Sequence, residues 1–246
     1  MQRNVGRIDV FSDPAHIARA LADLFSNCAQ TALGDRGAFY VALAGGSTPR
    51  AAYELLAAQP LVDAISWSDV FVYFGDERCV FPDDPRSNYR MAQDAFLSTV
   101  PIPPKNVHRM PGELPPKDGA GQYAQAIRAD LGDMPQFDLV MLGIGKDGHT
   151  ASLFPGTDPT TDDAALVRAT YSEETGTDRL SITPRVINNA RTVVICAEGI
   201  EKAPAVAAAR EGDYDPTKTP VQIVSPINGE LIWLLDRLAA GMLKHK

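Results

Sequence analysis

The chain has 246 residues, and its 45% of hydrophobic and 22% of charged residues support a full hydrophobic core and exclude a disordered protein. Lysine and arginine number 23 against 31 aspartate and glutamate residues, and the net charge of −8 argues against a general binder of nucleic acid or of acidic membranes. No apolar run is long enough for a transmembrane helix and the first residues lack the apolar core of a secretion signal, so we expect a cytoplasmic protein.

Apolar runs typical of buried strands alternate along the chain with segments of helical spacing. In chain order, the pattern predicts a helix at 14–33, a strand at 39–44, a helix at 49–58, a strand at 70–74, a helix at 88–98, strands at 137–143 and 191–197, a helix at 200–210, a strand at 221–224 and a helix at 228–243. This alternation indicates an α/β fold with a mostly parallel sheet and helices on both faces.

Two further segments, 165–170 and 180–183, are separated by polar residues and predict a hairpin at one edge of the sheet, near 165–183. The proline-rich stretch 101–116 is interpreted as a surface connector and not as a linker, so we expect one domain, 1–246. Ligands of open parallel sheets bind beyond the carboxyl ends of the strands. The residues that follow each strand are therefore the candidates for a site.

The first predicted strand is followed by Gly45, Gly46, Ser47 and Thr48, which then open a helix. Two glycines allow a tight turn and a close approach to a ligand, and the free N–H groups of a helix start favour an anion such as a phosphate monoester. The loop has neither the Walker spacing nor the GxGxxG pattern of a dinucleotide site. An ordinary strand-to-helix turn with a Ser/Thr cap remains the alternative.

Charged residues follow the second predicted strand, in the stretch 75–79 and again around Arg86 and Asn88. Arg78 is a candidate bidentate cation for a phosphate or carboxylate, and a solvated charged loop is the alternative. Cys79 is interpreted as a small loop residue. It lies far from Cys28 and Cys196, and without CxxC spacing we expect neither a disulfide framework nor structural zinc.

The third predicted strand is followed by a glycine-rich loop, 143–156, that contains Asp147 and His149. A carboxylate two residues before an imidazole can orient it for proton transfer. His149 is the histidine of this sequence that lies in a glycine-rich loop after a strand, and a capping or packing role is the alternative. After the fourth strand, Lys202 falls on the first turn of a helix, where it either joins this edge of the sheet or is solvent-exposed.

Four blocks, 43–56, 75–91, 137–156 and 196–206, together resemble the 6-phosphogluconolactonase family in sequence and in order, and 179–184 resembles the segment between the last two. The combination of GDER with GHTASLFPG is specific, whereas sugar-phosphate isomerases and deaminases of the same superfamily share the first block. Arg78 and the residues 152–155 depart from the glucosamine-6-phosphate deaminase pattern. The resemblance implies the Rossmann-like fold of that superfamily.

It further implies hydrolysis of 6-phospho-D-glucono-1,5-lactone to 6-phosphogluconate, the second step of the oxidative pentose phosphate pathway, without a metal or organic cofactor. The small-molecule sugar-phosphate lactone is then the expected partner, with no nucleic acid and no membrane. By resemblance, His149 is the catalytic base, Asp147 its partner and Arg78 a substrate-binding cation. The residues expected around the phosphate are Gly45, Gly46, Ser47, Thr48 and Lys202. Four more, Asp76, Arg86, Asn88 and Arg179, match the pattern with either a substrate-binding or a structural role.

The tetrahedral oxyanion of lactone hydrolysis needs donors, for which Arg78 and the glycine N–H groups of 143–148 are the candidates. Two functions of other classes remain open. One is a sugar-phosphate-binding regulator without catalysis. The other is an isomerase or deaminase, which needs a carboxylate base such as Asp76 or Glu77.

Overall fold

A computed structural model describes residues 5–157 and 164–244. Within these residues the strands form two sheets. The strands, in chain order, are β1 (Arg7–Phe11), β2 (Phe39–Leu43), β3 (Val70–Phe74), β4 (Asp76–Arg78), β5 (Leu139–Gly143), β6 (Val167–Ser172), β7 (Thr177–Ile182), β8 (Thr192–Ala197) and β9 (Glu230–Asp236). The larger sheet has the order β1-β9-β8-β5-β2-β3, and all of its pairs are parallel.

Helices connect the strands, and the longest of them pack against the sheets: the first two against the parallel sheet and the fourth against β6 and β7. They are α1 (Pro14–Arg36), α2 (Ser47–Leu56), α3 (Asn88–Ala92), which continues as a π-helical turn to Leu97, α4 (Pro116–Leu131), α5 (Pro184–Ile187) and α6 (Ala203–Glu211). This is the predicted α/β fold with a mostly parallel sheet. None of the helices in the described ranges is long and apolar enough to cross a membrane.

Helix α1 shows how the sequence sets an element of this fold. The Asp13 side chain accepts a hydrogen bond from the backbone N–H of His16 and caps the helix, and Gly37 ends it in the left-handed conformation. Ile17, Leu21 and Phe25 recur at helical spacing and are fully buried. The helix therefore presents one apolar face to the core, where it packs against β2 and β9.

The strand order changes direction next to β2. The chain leaves β2 for its neighbour β3, and then returns to β5 on the other side of β2 before it continues to β8. The connections that leave the carboxyl ends of β2 and β5 therefore run in opposite directions along the sheet, one toward β3 and the other toward β8. A crevice at such a switch point is the usual ligand site of open parallel sheets.

The predicted hairpin near 165–183 is present as the antiparallel pair β6–β7, but it does not lie at an edge of the parallel sheet. It belongs to a separate three-stranded sheet of order β4-β7-β6. Strand β4 follows β3 after the single residue Gly75, whose carbonyl accepts a hydrogen bond from the N–H of Ile182. The short strand β4 was not predicted, since three charged residues carry no apolar pattern.

Two predicted elements near the C-terminus are wrong. The segment 228–243, predicted as a helix, contains β9, whose residues 231–236 are buried between β1 and β8. A short apolar run that is buried on both faces has no period that separates strand from helix. The predicted strand 221–224 is instead part of a 3₁₀ turn, Pro220–Ile223. No strand pairs with this segment in the described residues, and the buried Gln222 side chain holds it in place through hydrogen bonds to the backbone of Ala208, Asp213 and Asp215.

Candidate active site

A cleft of about 360 Å³ opens at the carboxyl ends of β2, β3 and β5, beside the switch point. Eight of the residues predicted for the site line it: Gly45, Gly46, Asp76, Arg78, Asn88, His149, Arg179 and Lys202. The cleft thus brings together residues from four strand ends and from the hairpin. This convergence is how active sites of α/β proteins are built.

Asp147 and His149 form a hydrogen-bonded pair at the cleft. Nδ1 of His149 lies 2.6 Å from Oδ1 of Asp147, and the same oxygen accepts the backbone N–H of His149 at 3.1 Å. Asp147 is not among the lining residues and contacts the ring from behind. When Nδ1–H donates to this carboxylate, Nε2 keeps its lone pair. The arrangement therefore suits a general base oriented by its neighbour.

The glycine-rich loop that carries this pair is closed by its own backbone. The N–H of Gly145 donates to the carbonyl of His149, and the N–H of Gly148 donates to the carbonyl of Gly145. A Cβ at residue 145 would overlap Nδ1 of His149 and Oδ1 of Asp147, so glycine at this position leaves room for the hydrogen-bonded pair. The ring of Phe154 packs against His149 with centroids 5.0 Å apart.

Two arginines face each other across the small sheet. Arg78 of β4 is directly opposite Arg179 of β7, where like charges ordinarily destabilise the pairing. Nε of each is buried and has no hydrogen-bond partner among the described residues, although Arg179 donates through Nη2 to Thr175 and Arg78 donates to the carbonyl of Arg86. Burial, and then the positive charge of Arg78, lowers the pKa of Arg179. In the described ranges neither arginine forms an ion pair, although Asp76 and Glu77 lie near enough to favour the charge of Arg179. Such a pair, lining a cleft, is suited to an anionic ligand.

Lys202 adds a third cation from the turn before α6, and within the described ranges its ammonium forms no ion pair.

In the loop that follows β2, Gly45 and Gly46 line the cleft, whereas Ser47 and Thr48 do not. Oγ of Ser47 donates to Oε1 of Glu198 at 2.6 Å. The predicted phosphate loop is therefore next to the cleft, with one of its hydroxyls already bonded.

Asp76 enters the cleft from the start of β4. Its Oδ2 accepts a hydrogen bond from Oγ of Ser152 at 2.7 Å, and its Oδ1 lies 3.3 Å from Nδ2 of Asn88. The same nitrogen donates to the backbone carbonyl of Asp76 at 2.9 Å. A Cβ at residue 45 would overlap the Asn88 amide, so Gly45 makes room for it. The carboxylate is thus held from two sides.

Glu77, the other acid of this segment, points away from the cleft into the protein. Its carboxylate accepts hydrogen bonds from the backbone N–H groups of Arg78, Asn88 and Tyr89 and from Oγ of Ser87. Burial raises its pKa in spite of these four bonds. Glu77 therefore holds the start of α3 in place and is not positioned as a base for a ligand in the cleft.

Two further residues of this segment stay outside the cleft. The exposed side chain of Arg86 pairs with Asp84, with Nη2 and Oδ2 2.8 Å apart, and only its carbonyl contributes, as the acceptor for Arg78. Burial raises the pKa of the Cys79 thiol to about 11, so the thiol is protonated at neutral pH and is no nucleophile there.

Sequence reasoning missed three contributors that the structure places at or next to the site, Ser152, Phe154 and Glu198, and it considered Gly145 only as a backbone donor. Ser152 and Phe154 lie in the block that carries the resemblance, but neither has a charged or basic group that marks it as functional. Gly145 leaves room for the His149 ring, and this role depends on where the ring lies, which the number of glycines in the loop does not show. Glu198 follows a strand end, and that position was the available signal.

Comparison with known proteins gives a consistent family. A family model described as glucosamine-6-phosphate isomerases/6-phosphogluconolactonase matches residues 12–233. The chain is 41% identical over 218 residues to a 6-phosphogluconolactonase of Synechocystis sp., covering 87% of this chain and 88% of that protein. It is 39% identical over 242 residues to one of Nostoc sp., covering 96% and 98%.

Among solved structures, a 6-phosphogluconolactonase from Trypanosoma cruzi superimposes with a TM-score of 0.87 at 27% identity, covering 98% of this chain and 97% of that one. Both the sequence and the fold of this protein therefore agree with the resemblance carried by the four sequence blocks. The chain belongs to the glucosamine-6-phosphate isomerase/6-phosphogluconolactonase family.

Proposed function

We propose that this protein hydrolyses 6-phospho-D-glucono-1,5-lactone to 6-phospho-D-gluconate, with water activated by His149 and Asp147. The observation that carries the proposal is the position of the hydrogen-bonded His149–Asp147 pair in the same cleft as the facing arginines Arg78 and Arg179. One pair supplies proton transfer and the other supplies charge for an anionic sugar. The names of the relatives from Synechocystis and Nostoc support the same activity.

In the proposed reaction, Nε2 of neutral His149 takes a proton from a water molecule as its oxygen attacks C1 of the lactone. The imidazolium then returns the proton to the ring oxygen as the C1–O bond breaks, so the ring opens to the acid. Asp147 fixes the imidazole tautomer and offsets the positive charge that forms. Positioned acid–base catalysis of this kind is worth about 10²–10⁴-fold in rate.

Arg78 is the better of the two candidates for stabilising the oxyanion. The N–H groups of Gly145 and Gly148 are already bonded within the loop, whereas Arg78 lines the cleft and its guanidinium bonds, among the described residues, only the carbonyl of Arg86. Arg179 and Lys202 are then left for the phosphate, whose binding orients the ring for attack at C1. The two arginines thus serve two negative charges of one substrate.

The test is to give the purified protein the phosphorylated lactone and, separately, glucosamine 6-phosphate. We expect acid release from the lactone above its spontaneous rate and no ammonia from the amino sugar. Ammonia release without lactone hydrolysis would replace the proposal by deaminase chemistry. Binding of both compounds without turnover of either would instead identify a sugar-phosphate-binding protein.

A further inference from the structure

Asp76 differs in its surroundings from the other charged groups that line the cleft. It is an acid in a cleft whose other charged groups include Arg78, Arg179 and Lys202, and within the described residues it forms no ion pair. Its hydrogen-bond partners there are the neutral donors Ser152 and Asn88, and its charge also favours that of Arg179. A carboxylate has about four acceptor positions, so acceptor capacity remains after these two bonds.

The two donors leave Asp76 little freedom. Ser152 is 1% exposed and Asn88 is 3% exposed, so both bonds lie away from water. The Asn88 amide is packed against Gly45, and the backbone N–H of Ser152 is itself fixed by Oγ of Ser181. An acceptor held in this way is organised before a ligand arrives, which lowers the cost of binding.

The chemistry of the remaining acceptor positions selects the ligand group. A phosphate or a carboxylate would be repelled by Asp76, and the cations on the other parts of the cleft already suit such groups. A hydroxyl donates to a carboxylate in a strong, charge-assisted hydrogen bond. The hydroxyls of a sugar ring are the donors that the proposed lactone substrate carries.

We infer that Asp76 accepts a hydrogen bond from a ring hydroxyl of the substrate, at C2 or C3, and that Ser152 is the positioning residue for this contact. Ser152 lies three residues after His149 on the same loop. A hydroxyl bound at Asp76 is therefore fixed relative to the base through one buried hydrogen bond. This inference rests on the proposed lactonase function and adds to it the group that selects polyhydroxylated substrates.

The experiment compares the phosphorylated gluconolactone with its 2-deoxy and 3-deoxy counterparts. We expect the wild-type protein to lose about 10- to 100-fold in kcat/KM on one of the deoxy lactones, the size expected for a hydrogen bond to a charged group. In Asp76→Asn, which keeps the side-chain volume, and in Ser152→Ala, that penalty should shrink to within about threefold, because the acceptor is lost or misplaced. Ser152→Thr keeps a hydroxyl and should restore part of the discrimination.

Ser26→Ala is the matched control, since it removes a buried serine hydroxyl in α1, away from the cleft, and should leave the penalty unchanged. Variants that lower kcat/KM equally on all three lactones would show a merely structural role and overturn the inference. So would a wild-type protein that hydrolyses the parent lactone and the two deoxy lactones equally well.

A binding measurement keeps this result separate from the proposed function. Calorimetric titration with 6-phosphogluconate and with its 2-deoxy and 3-deoxy forms needs no turnover. If the wild-type protein discriminates among these acids and Asp76→Asn does not, hydroxyl recognition stands even where lactone hydrolysis fails. Equal binding of all three acids by the wild-type protein would overturn the inference while the lactonase proposal is judged by its own assay.

Discussion

Gly145 lies so close to the His149 ring that a β-carbon on residue 145 would occupy the same space as Nδ1. We expect Gly145→Ala to push the imidazole away from Asp147 and to lower kcat by about tenfold or more, as for a misplaced general base. Gly34→Ala is the control, because a Cβ there meets nothing within 4 Å and alanine favours a helix. A Gly145→Ala enzyme with wild-type kcat would show that the pair is not needed in this geometry.

The proposed role of His149 as the base is tested by His149→Ala. We expect kcat to fall by about 100-fold or more with the fold retained, since proton transfer from water is lost. His16→Ala provides the comparison, because His16 is exposed on α1 and bonds Asp13 outside the cleft. Circular dichroism checks the fold of both variants. Retention of more than about a tenth of kcat by His149→Ala would reject the assignment, given the size of the effect expected for a base.

Substitutions of the two facing arginines, Arg78 and Arg179, are predicted to change different kinetic constants. Arg179→Met should raise KM for the phosphorylated lactone, with kcat/KM lower by about 10- to 100-fold, the value of a charge-assisted hydrogen bond. Arg78→Met should act mainly on kcat, because its target is the oxyanion. Removal of either charge relieves repulsion across the strand pair, so neither variant should melt at a lower temperature than the wild-type protein.

Unphosphorylated gluconolactone is the internal control for these two variants. It lacks the group assigned to Arg179, so Arg179→Met should change its hydrolysis by no more than about twofold, in contrast to the loss of a contact to charge. An equal loss on both lactones would argue that Arg179 supports the fold of the hairpin and does not bind phosphate.

Glu77→Gln is expected to destabilise the protein by about 1–3 kcal/mol, because the new amide places donors against backbone N–H groups that now point at a carboxylate. Urea unfolding measures this free energy. Glu54→Gln is the control, since the exposed Glu54 pairs, in the part of the chain that the structure describes, only with Arg50, and the loss of stability should stay within about 0.5 kcal/mol. Equal stability of the two variants would show that the four bonds to Glu77 contribute little.

The three cysteines should resist alkylation near neutral pH. Burial raises the pKa of Cys28 and Cys79 to about 11 and that of Cys196 to about 12, and only a thiolate reacts. The rate of labelling by iodoacetamide in the native protein should therefore keep rising with pH beyond about 9, where an ordinary thiol with a pKa of about 8.5 has levelled off. Cys79→Ala should keep full activity. Rapid labelling at pH 7 would contradict this prediction.

The sequence was sufficient for strands β2, β3, β5 and β8 of the parallel sheet and for the loop that carries His149 and Asp147, because each of these strands was an apolar run and the loop combined glycines with an acid and a base. It was insufficient where tertiary packing decides the structure. Strand β9 is an apolar run that fits a helix equally well until its neighbours β1 and β8 are known. The opposition of Arg78 and Arg179 depends on a strand pairing between segments about 100 residues apart, which local patterns cannot give.

The division of the site between two sheets has a consequence for how the protein can change. The proposed proton-transfer pair, His149 and Asp147, lies on a loop of the parallel sheet, whereas the guanidinium groups of Arg78 and Arg179 lie on the three-stranded sheet, which follows β3 after Gly75. Substitutions in the hairpin can therefore retune which anionic sugars bind while the acid–base loop stays intact. A library randomised in the hairpin residues that face the cleft, Ser172, Glu174 and Thr175, is accordingly the natural starting point for engineering lactonases of altered substrate range on this scaffold.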